Sequence, residues 1–329
     1  MAEIHDIRRQ GIEVLLVSSG AVGIGQQRLG LAESPTSVVD RQACAAAGQG
    51  ALVAFYDALC QTLGFSVAQV LLTEADFKSR RGYLNVAATL QRLLELEALP
   101  IINENDTVST DEIALHGSTV FGDNDRLSAL VATNLGADLL VMLSDVDGVY
   151  DAPPGEVGAT RIPIYTGDAV SFGQLSAGGR GGMEAKIRAA QVAANSGVHV
   201  VIASGFTPGT LSDIVSGEDR GTSFPPSHTL SKRRHWLTYA AAPAGAVVVN
   251  DGARDALIQR HASLLPKGIT TVRGSFDAGE VISVLDTQET EIARGICRES
   301  SRVIPELIHK PGRAKALVHR DQIAILTED

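Results

Sequence analysis

The sequence predicts an α/β sandwich on a mainly parallel sheet, followed by a small β-barrel. Three observations carry this. Short apolar runs alternate with long helical patterns over the first two thirds of the chain. After residue 244 the pattern changes to short runs separated by turn residues. The charge changes with it: residues 244–329 hold 11 Lys/Arg against 12 Asp/Glu, a net of -1, which leaves -9 for residues 1–243.

In order, "EVLLVSS" (13–19), "FSVAQVLLT" (65–73), "LPIINEN" (99–105), "DLLVMLSD" (138–145) and "VHVVIAS" (198–204) have strand length and composition. Helical length and spacing mark "QACAAAGQGALVAFYDALCQTLG", "YLNVAATLQRLLELEAL", "NDRLSALVATNLGA" and "GGMEAKIRAAQVAANSG". Nearly continuous apolar strands joined by helices belong in a parallel sheet covered on both faces. The tail, "AGAVVVNDGARDAL", "GITTVRGSFDAGEVISVLD", "EIARGICR" and "AKALVHRDQIAIL", reads as short strands with little room for long helices. The expected organisation is a first domain at 1–230, a linker at 231–243 around "SKRRHWLTYAAAPAG", and a second domain at 244–329.

With 44% apolar and 20% charged residues in 329, the chain can bury a sizeable core. It opens on the charged "MAEIHDIRRQ", and no uninterrupted apolar run approaches the roughly 18 residues that cross a bilayer. The expectation is a cytoplasmic protein with no membrane partner. Cys44, Cys60 and Cys297 are far apart, which indicates neither a zinc site nor a disulfide framework and suits buried small hydrophobes. A net charge of -10 argues against the whole chain binding nucleic acid, because phosphate contacts need a basic surface.

Ligands of an open parallel sheet sit beyond the carboxyl ends of its strands. Polar residues collect there: "VSSGAVGIG", "NENDTVSTDE" and "SDVDG" each follow a predicted strand. No G-x-G-x-x-G, P-loop or G-x-S-x-G pattern is present at these places. The glycine loop "GGRGGMEAKIRAA" (178–190) opens a helix and places Lys186 in its first turns. Its N–H groups and the helix dipole suit a phosphate. A surface loop with a solvated lysine is the other reading, and the loop alone does not separate them. "FGDNDRLSAL" (121–130) is a natural helix start, since Asp and Asn cap helices. Beside "NENDTVSTDE" it would also complete an acidic crevice for an ammonium group and metal-bound water, next to an anion cradle. Ser19, Ser144 and Asp145 fit turns as well as ligand contacts, and the eight histidines are scattered, none paired at metal-ligand spacing.

Together "SSGAVGIG", "INENDTVST", "FGDNDRLSA", "LLSDVDGVY" (which stands here as "MLSDVDGVY") and "GGRGGMEAK", then "SKRRHWL" and "LLPKGI", resemble the bacterial glutamate 5-kinases, in order, from about residue 10 to the C-terminus. The resemblance implies an amino-acid-kinase domain followed by a PUA domain. It implies ATP-dependent phosphorylation of the γ-carboxylate of L-glutamate, with Mg²⁺, as the first step of proline synthesis. By motif, Ser19, Asp106 and Asn124 become the glutamate contacts. Ser144 and Asp145, with Arg180, Gly181, Gly182, Met183, Glu184, Ala185 and Lys186, become the ATP contacts. Lys186 neutralises the moving phosphoryl group and Asp125 orders the basic groups around it. The metal ligands are left unassigned. The expected partners are L-glutamate, further copies of the chain in a homo-oligomer, and RNA through the PUA domain.

Members of that family begin with a strand carrying K-x-G-[ST]-S, and no such segment precedes "IHDIRRQG" here. Its loss is expected to leave sheet N–H and C=O groups unpaired, so either the sequence starts late or the chain is a crippled relative. The competing readings are a catalytically impaired kinase relative that binds RNA through its PUA domain, and a kinase of another acid such as acetylglutamate or aspartate.

Overall fold

The computed structural model describes residues 1–108, 123–152, 156, 158–166, 182–227, 236–308 and 315–326. They divide into two units, one of residues 1–76 and 81–229, the other of residues 77–80 and 230–329.

In the first unit, β1 (Leu16–Val17), β3 (Leu99–Glu104) and β2 (Val67–Leu72) form a parallel sheet in the order β1-β3-β2. The register runs from Val67 opposite Leu99 to Leu72 opposite Glu104, so both strands finish level at one edge. A second sheet pairs β4 (Leu139–Ser144) in parallel with β5 (His199–Ser204), and β6 (Thr222–Phe224) runs antiparallel to β5. Ser144 and Ser204 end level with one another. Among the described residues of the unit, three of the four strand pairs are therefore parallel, as the sequence predicts. Leu99, Ile101 and Ile102 of β3 and Val200 and Ile202 of β5 are fully buried, which accounts for their unbroken apolar runs.

Hydrogen bonding separates these strands into two sheets. Among the described residues β1 and β4 are each paired on one side only. What joins the sheets is helix α6 (Asp123–Leu135), which packs against β1, β3 and β4. Its Leu127, Ala129, Leu130, Val131 and Ala132 are buried. Helix α7 (Gly182–Ala194) lies beside α6, and its Ile187, Ala190 and Ala193 are fully buried.

Helix α1 (Ala2–Arg9) buries Ile4 and Ile7. Its Glu3 carboxylate accepts hydrogen bonds from the backbone N–H of Gly209, Leu211 and Ser212 at 3.1, 2.9 and 3.3 Å, satisfying the otherwise unpaired start of the short helix α8 (Thr210–Val215). Helix α2 (Ala21–Arg28) presses against α3 (Val38–Thr62) through glycine. A Cβ on Gly25 would stand 1.7 Å from the carbonyl oxygen of Cys44, and one on Gly48 would stand 1.9 Å from that of Ala21. Ser37 caps α3, accepting from Asp40 N–H at 3.0 Å. Buried in α3 and β3, Gln49 and Asn103 are joined by a 2.8 Å hydrogen bond that fixes the helix to the sheet. Helices α4 (Glu74–Lys78) and α5 (Arg80–Glu95) connect β2 to β3.

The second unit is a five-stranded sheet in the order β11-β10-β9-β7-β8: β7 (Gly245–Val249), β8 (Ile269–Gly274), β9 (Val281–Leu285), β10 (Glu291–Ile296) and β11 (Ile323–Ile325). All pairs are antiparallel except β7 with β9. Val247, Val249, Leu257, Ile282 and Val284 anchor its core. Here the structure corrects the sequence reading, which left little room for long helices. "DGARDALIQR" forms α9 (Asp251–Arg260), ten residues long, and a short helix α10 (Ile304–Ile308) follows. The Asn-Asp-Gly that reads as a turn is a helix start, with the Asn250 side chain accepting from Ala253 N–H at 2.9 Å.

All three cysteines are buried, and burial pushes the Cys60 and Cys297 thiols up, so neither is a ready nucleophile.

Gly48→Ala is expected to destabilise the first unit by about 2–3 kcal/mol, because the added methyl meets backbone rather than a movable side chain. Gly50→Ala on the same helix meets nothing within 4 Å and should gain about 0.5–1 kcal/mol. Urea denaturation of both variants checks the pair.

Burial raises the Tyr83 hydroxyl to about 12 from its ordinary value of 10.0. The raised value favours the protonated form when folded, so this contribution to stability is complete below pH 10 and is lost as pH climbs from there toward 12. Tyr83→Phe should flatten that part of the stability profile, measured by denaturation between pH 9 and pH 12.

Candidate active site

The carboxyl edge of β3 leads into a polar turn. Asn105 N–H donates to Leu72 O at 2.8 Å, which holds the ends of β2 and β3 together, and Asp106 follows, half-buried. On the other side of β3, Ser18 N–H continues the β1 pairing by donating to Ile102 O at 2.8 Å. The two serines of "VSSG" have different surroundings. Ser18 is buried with its Oγ 2.9 Å from the Tyr56 hydroxyl, whereas Ser19 is exposed at the turn before α2. Gly20, the N-cap of α2, has φ +104°, a conformation that favours glycine and lets the chain turn directly after Ser19.

Helix α6 begins at Asp123, so Asn124 and Asp125 sit in its first turn. Helix α7 begins at Gly182, which puts Met183, Glu184, Ala185 and Lys186 in its first turns. An ion pair joins the two helix starts: Lys186 Nζ lies 2.8 and 2.9 Å from the two carboxylate oxygens of Asp125. The partners are 61 positions apart in sequence, and their side chains are 20% and 18% exposed. Half-buried charges of opposite sign are thereby held where two helix dipoles present their positive ends. Asn124 Oδ1 is buried with no hydrogen-bond partner among the described residues. It is an acceptor ready for a donor such as an ammonium group or a bound water.

Ser144 ends β4, and its Oγ donates to Asp145 Oδ1 at 3.1 Å; Asp145 itself is exposed. Of the residues singled out from sequence, the structure brings Lys186 to Asp125 and Ser144 to Asp145 in direct contact. It places Ser19 and Asp106 at the carboxyl ends of the paired strands β1 and β3. Arg180 and Gly181 lie outside the described residues, and Asp123 is described by its backbone alone. Sequence reading missed Arg126, which follows Asp125 and donates to Glu74 Oε1 at 2.7 Å, a partner 52 positions away. It also missed Asn103, whose place in an apolar strand beside Glu104 was the available signal.

Among the described residues no group of three His, Cys, Asp or Glu side chains could hold a metal ion. A cation, two helix N-termini and a buried amide acceptor fit a ligand with an anionic and an ammonium end.

The amino acid kinase family model matches residues 1–204, and the PUA domain model matches residues 245–316. A glutamate 5-kinase of Streptomyces avermitilis is 42% identical over 331 residues, covering 95% of this chain and 86% of its own. That of Prochlorococcus marinus is 41% identical, covering 96% and 89%, and that of Acaryochloris marina is 42% identical, covering 98% and 91%. The expectation drawn from ordered motifs is therefore met at the level of the whole chain: this protein belongs to the glutamate 5-kinase family, an amino acid kinase domain joined to a PUA domain.

Proposed function

We propose that the chain transfers the γ-phosphoryl group of ATP to the γ-carboxylate of L-glutamate, giving L-glutamyl 5-phosphate, the step that opens proline synthesis. The observation that supports this most is the Lys186–Asp125 contact between two helix starts, with the Asn124 acceptor beside Asp125 in sequence.

A glutamate side chain is already ionised at neutral pH, so no general base is needed. One carboxylate oxygen forms the new P–O bond while the bond from the γ-phosphorus to its bridging oxygen breaks, and ADP leaves with that electron pair. The difficulty is electrostatic, since two anions must meet in line. In this reading Lys186 supplies positive charge where the phosphoryl group passes, and Asp125 keeps its amine in place without a search over rotamers. The backbone N–H groups at the start of α7, from Gly182 to Ala185, face the phosphates, with Arg180 and Gly181 preceding them in sequence. Ser144 and Asp145 hold the nucleotide. Ser19, Asp106 and Asn124 orient glutamate, with Asp106 and Asn124 taking its ammonium hydrogens. Mg²⁺ bound with ATP neutralises phosphate charge.

The assignment extends to partners. Helix α3 is 25 residues long and contains a stretch long and apolar enough to cross a membrane, yet the helix carries Asp40, Arg41 and Asp57 and leaves Val39 and Phe55 72% and 60% exposed. An exposed apolar helix interrupted by charges suits contact with a second copy better than lipid, in keeping with a cytoplasmic homo-oligomer. The match of residues 245–316 to the PUA model supports an RNA contact by the second unit.

ADP formation that depends on glutamate, with hydroxylamine trapping the acyl phosphate, tests the activity. The expected result is a hydroxamate product with glutamate and none with aspartate or acetylglutamate. ADP release indifferent to glutamate overturns the proposal. Lys186→Ala should lower turnover by about a hundredfold or more while changing glutamate affinity by less than about threefold, and Lys186→Arg should recover part of the loss. An unchanged rate removes Lys186 from the mechanism.

A further inference from the structure

We propose that Tyr56 of α3 is a positioning residue for the amino-acid substrate: through Ser18 it fixes the turn that carries Ser19. The inference rests on the assignment of Ser19 as a glutamate contact. Ser18 is 6% exposed, so its hydroxyl needs partners inside the protein. Its Oγ donates to Ser19 O at 3.3 Å and lies 2.9 Å from the Tyr56 hydroxyl. A serine hydroxyl has one hydrogen to give and a carbonyl oxygen can only accept. With the Ser18 hydrogen on Ser19 O, the Tyr56 hydroxyl is the donor to Ser18. The series of bonds thus runs from a helix to the backbone of the residue assigned to substrate.

The far side of the turn is held from the same helix. Gly20 follows Ser19 at φ +104°, and Ala21 opens α2. A Cβ on Gly48 of α3 would stand 1.9 Å from Ala21 O, so the two backbones are in close contact there. Gln49 and Tyr56 are seven positions apart, two turns of helix, which sets them on one face of α3. Gln49 reaches β3: its Oε1 accepts from Asn103 Nδ2 at 2.8 Å, while Asn103 Oδ1 accepts from Glu104 N–H at 2.9 Å. Asp106 comes three positions after Asn103. One face of α3 therefore sets the ends of β1 and β3, which lead to Ser19 and Asp106. The nucleotide is assigned to other elements, β4 and α7.

The Tyr56 ring packs against the cluster of Ile4, Cys60, Leu99 and Ile101 and stands edge-on to Phe55, with 5.8 Å between ring centroids. Phenylalanine keeps those contacts and removes the hydroxyl alone.

Calorimetric titration with glutamate and, separately, with Mg-ATP tests the proposal. In Tyr56→Phe, glutamate affinity should fall about three- to tenfold, the effect of one hydrogen bond, while Mg-ATP affinity stays within about twofold. Ser18→Ala should show the same split, and Tyr56→Phe in that background should add nothing, because both act through one series of bonds. Equal losses for the two ligands, or losses that add in the double variant, mark a general loosening and overturn the proposal. Ser19→Ala separates the positioning role from the site assignment beneath it. If Ser19→Ala lowers glutamate affinity and Tyr56→Phe does not, the positioning role alone falls. If Ser19→Ala leaves glutamate affinity unchanged, or the unaltered protein binds no glutamate, the site assignment falls and the positioning role with it.

Discussion

The contact between Lys186 and Asp125 is the constraint on which the rest of the site depends. It joins the first turns of two helices that the chain separates by 61 positions. Both side chains are largely withdrawn from water, so their mutual attraction offsets a desolvation cost rather than adding freely to stability. Its worth lies in position. A lysine amine on four rotatable bonds is otherwise free to sample many places, and Asp125 confines it to one. The same contact draws the starts of α6 and α7, and so the positive ends of both helix dipoles, together.

The sheets deliver the other groups. Parallel strands finish level within each sheet, and Ser19, Asp106 and Ser144 stand at the carboxyl ends of β1, β3 and β4. The ladder does not run unbroken between β3 and β4, so α6 carries the connection, packing on β1, β3 and β4 together. Helix α6 thus has two tasks, joining the sheets and presenting Asn124 and Asp125. Its fixation by Asn134 at one end and Arg126 near the other follows from that double duty.

Much of this was legible in the sequence where the signal is local. The strands β2 to β5 fall inside the apolar runs that predict them; β3 and β5 are buried along most of their length, which demands unbroken apolar residues, while β2 and β4 are largely half-buried. The run at 13–19 shrinks to Leu16–Val17, since only β3 pairs with it among the described residues. The α3 helix begins at Val38, four residues before its predicted start, because Ser37 supplies a cap that the alanine-rich pattern hides. In the second unit Asn250 caps a ten-residue helix where Asn-Asp-Gly suggests a turn. Long-range pairs were not legible at all. Nothing local in Arg126 points to Glu74, nor in Asn103 to Gln49, and Ser18 could be told from its neighbour Ser19 only once Tyr56 was in place.

Lysine acylation followed by mass spectrometry tests the central contact most directly. Under limiting reagent, Lys186 should react far more slowly than the exposed Lys267 of the same molecule, because its amine is bound to the Asp125 carboxylate and largely enclosed. Asp125→Asn should bring the two rates together, and Mg-ATP should slow Lys186 alone. Equal rates at Lys186 and Lys267 in the unaltered protein, indifferent to nucleotide, would contradict the account.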